Sequence, residues 1–240
     1  MTAPGAVARL RMAPPAGAGE VRRGVADMLP VVVGYVPFAA VVGGAVAAHP
    51  DPVPAWLATP LVYGGAAQLA VLQAVQAGSG AAVAAAAGLL VNARLLVYSA
   101  DMAPHWGGRR VPARMAAAAL ITDASWALGV RRHQAPGTAD GRFRHYLAAA
   151  ATLAGCWLVL VTAAALLGSR LPLGEDLAPA VSLCLLALLA PALVQPAGRS
   201  AVGAAVVVAV GASYLPDGVG LPAACAGAAA VGLCVARRRR

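Results

Sequence analysis

The stretch GLLVNARLLVYSADM, residues 88–102, constrains the architecture most strongly, because it places polar and charged side chains inside a long apolar segment. Asn92, Arg94 and Asp101 interrupt a run that otherwise suits a helix in lipid. An ionised side chain at the centre of a bilayer costs about 2.5–3.5 kcal/mol on insertion scales, and such residues normally face the interior of a helix bundle. The stretch therefore predicts a membrane helix that turns a polar face toward neighbouring helices.

The composition extends this prediction to the whole chain. Of the 240 residues, 60% are hydrophobic and 11% are charged, and the mean hydropathy is +0.76. Soluble domains carry about 25% charged residues, whereas a membrane-spanning helix needs roughly 20 mostly apolar residues. We therefore predict an all-α, polytopic membrane protein with about eight transmembrane helices, several of them broken by Pro or Gly. The eight apolar blocks lie at about 28–48, 55–77, 80–103, 113–130, 145–168, 177–196, 200–215 and 218–236.

The charges indicate an orientation and the limits of the membrane domain. Cytoplasmic loops carry an excess of Lys and Arg, and eight passes with cytoplasmic termini place most of the 18 basic residues, all of them Arg, on that side. The loop GGRRVPAR at 107–114 is an exception, which leaves open that a neighbouring block such as 113–130 only partly enters the membrane. Residues 1–26 are predicted to form a disordered cytoplasmic tail, 27–236 the transmembrane domain, and 237–240 a basic cytoplasmic C-terminus.

Helix breakers fall inside several of the blocks. Pro37 lies in the first block, Pro60 in the second and Pro191 in the sixth, and the second block also contains the pair Gly64–Gly65 in VYGGAAQLAV. A proline removes a backbone hydrogen bond, and in lipid the freed carbonyl must find protein, water or a ligand. Transporters use such broken helices to direct backbone dipoles at a substrate. The alternatives are a simple kink or close packing of small residues. Gln68, just past the glycine pair, is a candidate for lining a cavity.

Two sets of polar side chains lie within the apolar blocks. At 100° per residue, Arg94, Tyr98 and Asp101 share one helix face, while Asn92 projects toward another neighbour. We predict that they line an interior polar site; the alternative is an arginine that snorkels to the headgroups. Asp123, in ALITDASWALG, is the second intramembrane acid. As a buried carboxylate it would be a candidate proton carrier; the alternative is a helix cap or a loop acid.

Other kinds of chemistry have little support in the sequence. The arginines lie at the termini and in short loops, so nucleic acid is not predicted as a partner. The four Cys and four His show no ligand spacing, so the cysteines are interpreted as small buried residues and no metal or cofactor is expected. No Walker motif occurs, which indicates that this chain does not consume ATP. An intramembrane enzyme is a weak rival hypothesis, because the apolar blocks that contain Asp101, Asp123 and Ser125 contain no histidine.

Five segments, taken in order, resemble the AzlC-type family, the large subunit of branched-chain amino acid exporters. They are GYVPFAAVVGGAVA (34–47), VYGGAAQLAVLQAVQAG (62–78), LVNARLLVYSADMAP (90–104), LITDASWAL (120–128) and GCWLVLVTAAALLGSRLP (155–172). The chain also departs from the family pattern. Its Asn92-Ala93-Arg94-Leu95 stands where the family has Asn-x-Arg-His, and its Thr122-Asp123-Ala124 where the family has Thr-Asp-Glu.

The resemblance implies export of Leu, Ile, Val and Met across a bacterial inner membrane, together with a small AzlD-type membrane subunit. The resulting hypothesis is a secondary transporter that works by alternating access, with a non-conducting scaffold subunit as the alternative. The amino acid carboxylate would be bound by Arg94 or by half-helix N-termini near Pro37 and Gly64. The predicted substrate-binding residues are Arg94, Asn92, Gln68, Gly64, Gly65, Tyr98 and Pro37, and Asp101 or Asp123 would couple transport to protons.

Overall fold

The computed structural model describes residues 18–168 and 196–212, together with residues 230, 231 and 234. Within these residues the chain is helical and contains no strand, which confirms the predicted all-α class there. The predictions for residues 1–17, Pro191, most of the blocks at 177–196 and 218–236, and the C-terminus at 237–240 lie outside the described residues.

The helices are shorter and more numerous than the apolar blocks. Their bounds are α1 (Ala18–Ala47), α2 (Pro52–Val62), α3 (Gly65–Gln76), α4 (Ala81–Asn92), α5 (Arg94–Met102), α6 (Val111–Ala119), α7 (Asp123–Gln134), α8 (Ala139–Gly168) and α9 (Pro196–Ala212), with a 3₁₀ turn at Ala103–Trp106. Helix α1 begins well before residue 27, so the last part of the predicted tail, 18–26, is helical. Helix α9 overlaps the predicted block at 200–215.

The chain divides into two compact units, each formed from two separate segments. Among the described residues, the first unit comprises Ala18–Val31 and Tyr98–Ala154, and the second comprises Val32–Val97 and the described residues from Gly155 onward. Helices α1, α5 and α8 contribute residues to both units. Each unit is described by itself below.

In the second unit, the C-terminal halves of α1 and α8 run side by side in the same direction. The ring of Phe38 lies 5.6 Å from that of Trp157, and further along the pair Gly43 approaches Ala164. At the end of both helices, a Cβ added at Gly168 would lie 3.2 Å from the Cβ of Ala47. Small residues allow this close approach because they bring the two backbones together.

Helices α2 and α3 form a hairpin beside this pair. Ala55 of α2 and Leu72 of α3 cluster with Val46, which lies near the end of α1. The start of α3, at Gly65, instead packs against Phe38 and Trp157. The open end of the hairpin therefore lies beside the end of α1, and its apex lies beside the middle of α1 and α8. Each arm is about 16–18 Å long at 1.5 Å per residue, short of the roughly 30 Å hydrocarbon core.

Helix α4 runs back along α3 and is followed directly by α5. Gly88 packs against Val71, and Asn92 at the end of α4 reaches Val62 at the end of α2. The axis then bends by 41° between α4 and the continuous segment Arg94–Trp106. These two pieces together are long and apolar enough to form one bent membrane span.

In the first unit, helices α6 and α7 form a second hairpin. The rings of His105, which precedes α6, and His133, in the last turn of α7, lie 4.1 Å apart. Arg109, before α6, donates a hydrogen bond of 2.5 Å to Asp140, at the start of α8. At the apex, Thr122 and Ser125 form a reciprocal capping box that starts α7. The two ends of the 113–130 block therefore lie together.

These contacts do not confirm the predicted number of passes. Among the described residues, α1 and α8 are long and apolar enough to cross a membrane, and the bent α4–α5 segment raises the number to three. The blocks at 55–77 and 113–130 fold back on themselves. Hydropathy does not distinguish them from single passes, because an apolar hairpin packed against protein has the same composition as a helix that crosses lipid.

Candidate functional site at the α2–α3 break

The break between α2 and α3 is a sharp reversal of the backbone. Tyr63, with φ 41° and ψ 52°, ends α2 in the left-handed region and is the non-glycine residue with positive φ in the described part of the chain. This conformation costs an L-residue about 1–2 kcal/mol. Pro60 lies inside α2 and does not end it. The reversal is therefore fixed by Tyr63 and Gly64, and the surrounding packing must offset its strain.

Asn92 holds the first helix break against the second. Its Nδ2 atom donates a hydrogen bond of 3.1 Å to the carbonyl oxygen of Val62, in the last turn of α2. A Cβ added at Gly64 would lie 2.6 Å from Asn92 Oδ1, so only glycine leaves room for this side chain. Because Asn92 ends α4, both interrupted helices meet at this contact.

Gln68 is the buried polar side chain nearest to the break. It lies one turn into α3 and is 0% exposed. Its Nε2 atom donates to the carbonyl oxygen of Ala55, at 3.0 Å, and to the hydroxyl of Thr59, at 2.9 Å. Its Oε1 atom has no hydrogen-bond partner among the described residues. Leaving a buried acceptor unsatisfied costs about 1–3 kcal/mol, and such an atom is suited to receive a hydrogen bond from a ligand.

The N-terminus of α3 offers donors next to this acceptor. No side chain caps the helix at Gly64, and the first N–H groups of a helix have no intrahelical acceptor. The aligned peptide dipoles place a partial positive charge of about 0.5 at this end, which favours a carboxylate. Gly65 lies directly against the rings of Phe38 and Trp157. Donors, an acceptor and an apolar wall thus lie within two turns of one helix.

Four of the predicted site residues meet in the second unit: Gln68, Asn92, Gly64 and Gly65. Arg94 was predicted to be interior, but it is exposed at the first position of α5. A half-helix N-terminus was also predicted near Pro37. That prediction is wrong, because α1 continues unbroken through this proline, whose side chain is exposed.

The remaining predicted residues lie in the first unit. The ring of Tyr98 stacks on that of Trp126, with centroids 4.6 Å apart. Asp101 accepts a hydrogen bond of 2.8 Å from Trp126 Nε1 and is exposed, not interior as predicted. Asp123 is the first residue of α7 and is half-buried. An acid at this position stabilises a helix through the dipole, which favours the cap alternative.

Sequence reasoning missed several residues of both units. Thr59, Phe38 and Trp157 are uncharged residues in apolar blocks. Their hydrogen bonds and ring contacts therefore leave no charge or spacing pattern in the sequence. The ion pair between Arg132 and Glu20, at 2.5 Å, links α7 to the start of α1. The hydrogen bond that Arg132 donates to Glu20 raises the pKa of Arg132 above its ordinary value. The sequence shows the opposite charges of Glu20 and Arg132, but no spacing pattern predicts an ion pair between residues so far apart in the chain.

The fold and site define a class: a helical membrane protein whose interrupted helices meet at a half-buried Asn92, one turn from the buried Gln68. The chain belongs to the AzlC family, because the family model described as AzlC protein matches residues 30–171, more than half of the chain. This confirms the predicted family, which is associated with branched-chain amino acid transport and is not a family of enzymes. Neither a curated protein nor a solved structure matches the chain.

Proposed function

We propose that this chain is the large subunit of a secondary transporter that exports branched-chain amino acids from the bacterial cytoplasm. The observation that carries the proposal is Gln68, which is fully buried with an unsatisfied Oε1 atom one turn from the uncapped start of α3. A fold gains nothing by burying an acceptor without a donor. A ligand that supplies the donor accounts for it.

An α-amino acid matches the groups at the break. Its carboxylate would bind the free N–H groups at Gly64–Gly65, and its ammonium would donate to Gln68 Oε1. Arg94 follows the second break and would add a positive charge for the carboxylate. Its position at the start of α5 is unfavourable for the helix by about 0.3–1 kcal/mol, because a cation there opposes the dipole. Helix stability therefore does not explain this arginine.

The aliphatic side chain of the substrate would pack against Phe38 and Trp157. These rings cover the first turn of α3 through Gly65, so substrate entry requires the rings to move. Buried aromatic surfaces bind aliphatic groups through the hydrophobic effect, at about 0.8 kcal/mol per buried CH₂. This supports a branched aliphatic substrate over a polar one. We further propose ion coupling, a small AzlD-type partner subunit, and cytoplasmic N- and C-termini.

Leucine flux in liposomes tests the proposal. The purified chain is reconstituted alone and with its small partner, and efflux of labelled leucine is followed. Gln68→Met keeps the side-chain length but removes the amide, and we expect it to reduce leucine efflux about tenfold or more, equivalent to roughly 1.4 kcal/mol or more. Gln73→Met is the matched control, because Gln73 is exposed on the same helix. Equal efflux by Gln68→Met and wild type would contradict the assignment of this site.

Arg94→Gln provides an independent arm of the same assay. We expect it to abolish efflux while its abundance in the membrane stays near that of the wild type, whereas Arg110→Gln, in an exposed loop position, keeps efflux. Undiminished efflux by Arg94→Gln would make Arg94 a packing or topology residue. If the chain and its partner together show no leucine flux, the scaffold alternative replaces the transporter.

A further inference from the structure

A buried histidine and an aspartate join α1 to α8 in the first unit. His145 is 1% exposed, and its Nε2 atom lies 2.8 Å from Asp27 Oδ2, whose side chain is 44% exposed. Helices α1 and α8 are the two described helices that are each long and apolar enough to cross a membrane. Histidine is the side chain that ordinarily gains and loses a proton between about pH 5 and 8. The pair thus places a proton-exchanging group between two candidate spans.

A purely structural ion pair does not account for the second ring nitrogen. His145 Nδ1 is buried and has no hydrogen-bond partner among the described residues. Buried polar atoms are normally satisfied, and exceptions require an explanation. The backbones of α1 and α8 approach closely here, since a Cβ added at Gly24 would collide with the His145 carbonyl oxygen. The His145 side chain lies at this close approach and is 1% exposed, with one ring nitrogen unused.

The charged groups around His145 come from α1 and α7. On α1, Asp27 contacts the ring directly, and Glu20 interacts electrostatically with His145 and with Arg23. From α7, Arg132 binds both carboxylate oxygens of Glu20. This bidentate pairing occupies Glu20, so Asp27 is the acid that can exchange a proton with the histidine. Its partly exposed carboxylate connects the sealed ring to the surface.

We propose that His145 and Asp27 form the proton-carrying site that couples transport to a proton gradient, which rests on the proposed transport function. A proton that arrives on Asp27 passes to His145 Nε2, which leaves Asp27 ionised and the ring doubly protonated. Return of this proton from Nε2 to Asp27 restores the neutral ring with its proton on Nδ1, so the proton that enters through the partly exposed carboxylate also leaves through it. The assignment replaces Asp101, which is exposed and bound to Trp126, and Asp123, which starts α7.

The proposal is tested by measuring leucine exchange separately from the coupling of leucine transport to protons. The full chain is reconstituted in liposomes in the composition that supports leucine flux, and two quantities are measured. The first is leucine counterflow without a pH gradient; the second is leucine accumulation driven by an imposed pH gradient, with an internal pH dye to follow protons. We expect His145→Gln and Asp27→Asn to keep counterflow and to lose the gradient-driven accumulation and the leucine-dependent proton movement.

His49→Gln and Asp51→Asn are the matched controls, because this pair interacts only through the Asp51 backbone in the loop after α1. Both should behave like the wild type. Asp27→Asn alone suffices if His145→Gln fails to reach the membrane, since Asp27 is partly exposed. Gradient-driven accumulation equal to wild type in Asp27→Asn, or none in the wild type itself, would overturn the coupling proposal. Absence of leucine counterflow in the wild type would instead overturn the transport function on which it rests.

Discussion

At the scale of single residues, the contact between Gly64 and Asn92 controls how the two helix breaks fit together. We expect Gly64→Ala to lower the free energy of unfolding by about 1–3 kcal/mol, because the added methyl group displaces Asn92 from the Val62 carbonyl. Asn92→Ala should cost about 0.5–1.5 kcal/mol by itself. In the Gly64→Ala background it should cost almost nothing more, since the hydrogen bond is already lost. Denaturation of the detergent-solubilised variants measures these values as a double-mutant cycle.

Gly155→Ala is the control for this cycle, because a Cβ added at Gly155 of α8 meets nothing within 4 Å. Alanine there should be neutral or stabilising, by up to about 1 kcal/mol, since glycine is a poor helix former. Strictly additive effects of Gly64→Ala and Asn92→Ala would show that the two residues do not interact, and the packing of the two breaks would need another explanation.

The residue types of the candidate site could be predicted from the sequence, but their burial could not. Gln68 and Asn92 stand out because amides are rare in apolar runs, and the structure places both at the α2–α3 break. The same argument assigned Arg94 to an interior, although it is exposed. Helical periodicity states which residues share a face, but it does not state which neighbour covers that face.

At the scale of helices, the sequence did not distinguish the Gly and Pro residues that interrupt a helix from those that a helix runs through. The pair Gly64–Gly65 marks a real interruption, since α3 starts there. Pro37 resembles it in sequence, yet α1 runs through it. A proline removes one hydrogen bond and can be accommodated within a helix that packs well. The reversal after α2 uses a residue in the left-handed region, Tyr63, and no signal in the sequence marked Tyr63 for it.

Helix α7 gives a prediction for the dependence of stability on pH. His133, near its end, donates a hydrogen bond of 2.7 Å from Nδ1–H to the Gly129 carbonyl oxygen, because a carbonyl can only accept. Burial, and then the nearby charges of His105, Arg142 and Arg132, lower the pKa of His133 below 6.5. The unfolded chain therefore takes up a proton at a higher pH than the folded chain. Stability is fully present above about pH 6.5 and falls as the pH drops toward the folded-state pKa.

His133→Gln should weaken this dependence, because glutamine keeps a donor for Gly129 but does not titrate. Thermal unfolding of the wild type and the variant, measured at intervals from neutral to mildly acidic pH, checks the sign. We expect the difference in Tm between the two proteins to change in favour of the variant as the pH falls below about 6.5. A parallel decline of both proteins would assign the acid sensitivity to other groups.

At the scale of the whole molecule, charge carried information that hydropathy lacked. The arginine-rich loop at 107–114 conflicted with the eight-pass arrangement, and the structure resolves the conflict by joining Arg109 to Asp140. Hydropathy counts apolar length only, so it assigned one full pass to each of the blocks at 55–77 and 113–130, although each folds back as a hairpin. The spans at α1 and α8 were predictable because each has a long uninterrupted apolar run that needs no partner to define it.

If the α2–α3 and α6–α7 hairpins fold back without crossing the membrane, the loops that flank each hairpin lie on the same side, whereas the loops that flank a crossing helix lie on opposite sides. Because Ala55 and Leu72 meet beside Val46, the loops before α2 and after α3 should lie on one side of the membrane. Because the ring of His105 contacts that of His133, the loops before α6 and after α7 should also share a side. Single cysteines at Ala48, Ser79, Arg110 and Gln134, in a chain without its native cysteines, can be labelled with an impermeant maleimide in sealed vesicles.

We expect Ala48→Cys and Ser79→Cys to be labelled in vesicles of the same orientation, and Arg110→Cys and Gln134→Cys likewise to behave as a pair. The physical reason is length, since an arm of nine to twelve residues covers about 14–18 Å and returns before it crosses a hydrocarbon core of about 30 Å. Labelling after detergent permeabilisation controls for cysteines that are buried by packing. Labelling from opposite sides within either pair would show that the block between the two cysteines crosses the membrane fully. For the Ala48 and Ser79 pair, the contacts that place the α2–α3 break beside the middle of α1 would then no longer describe the protein in its membrane.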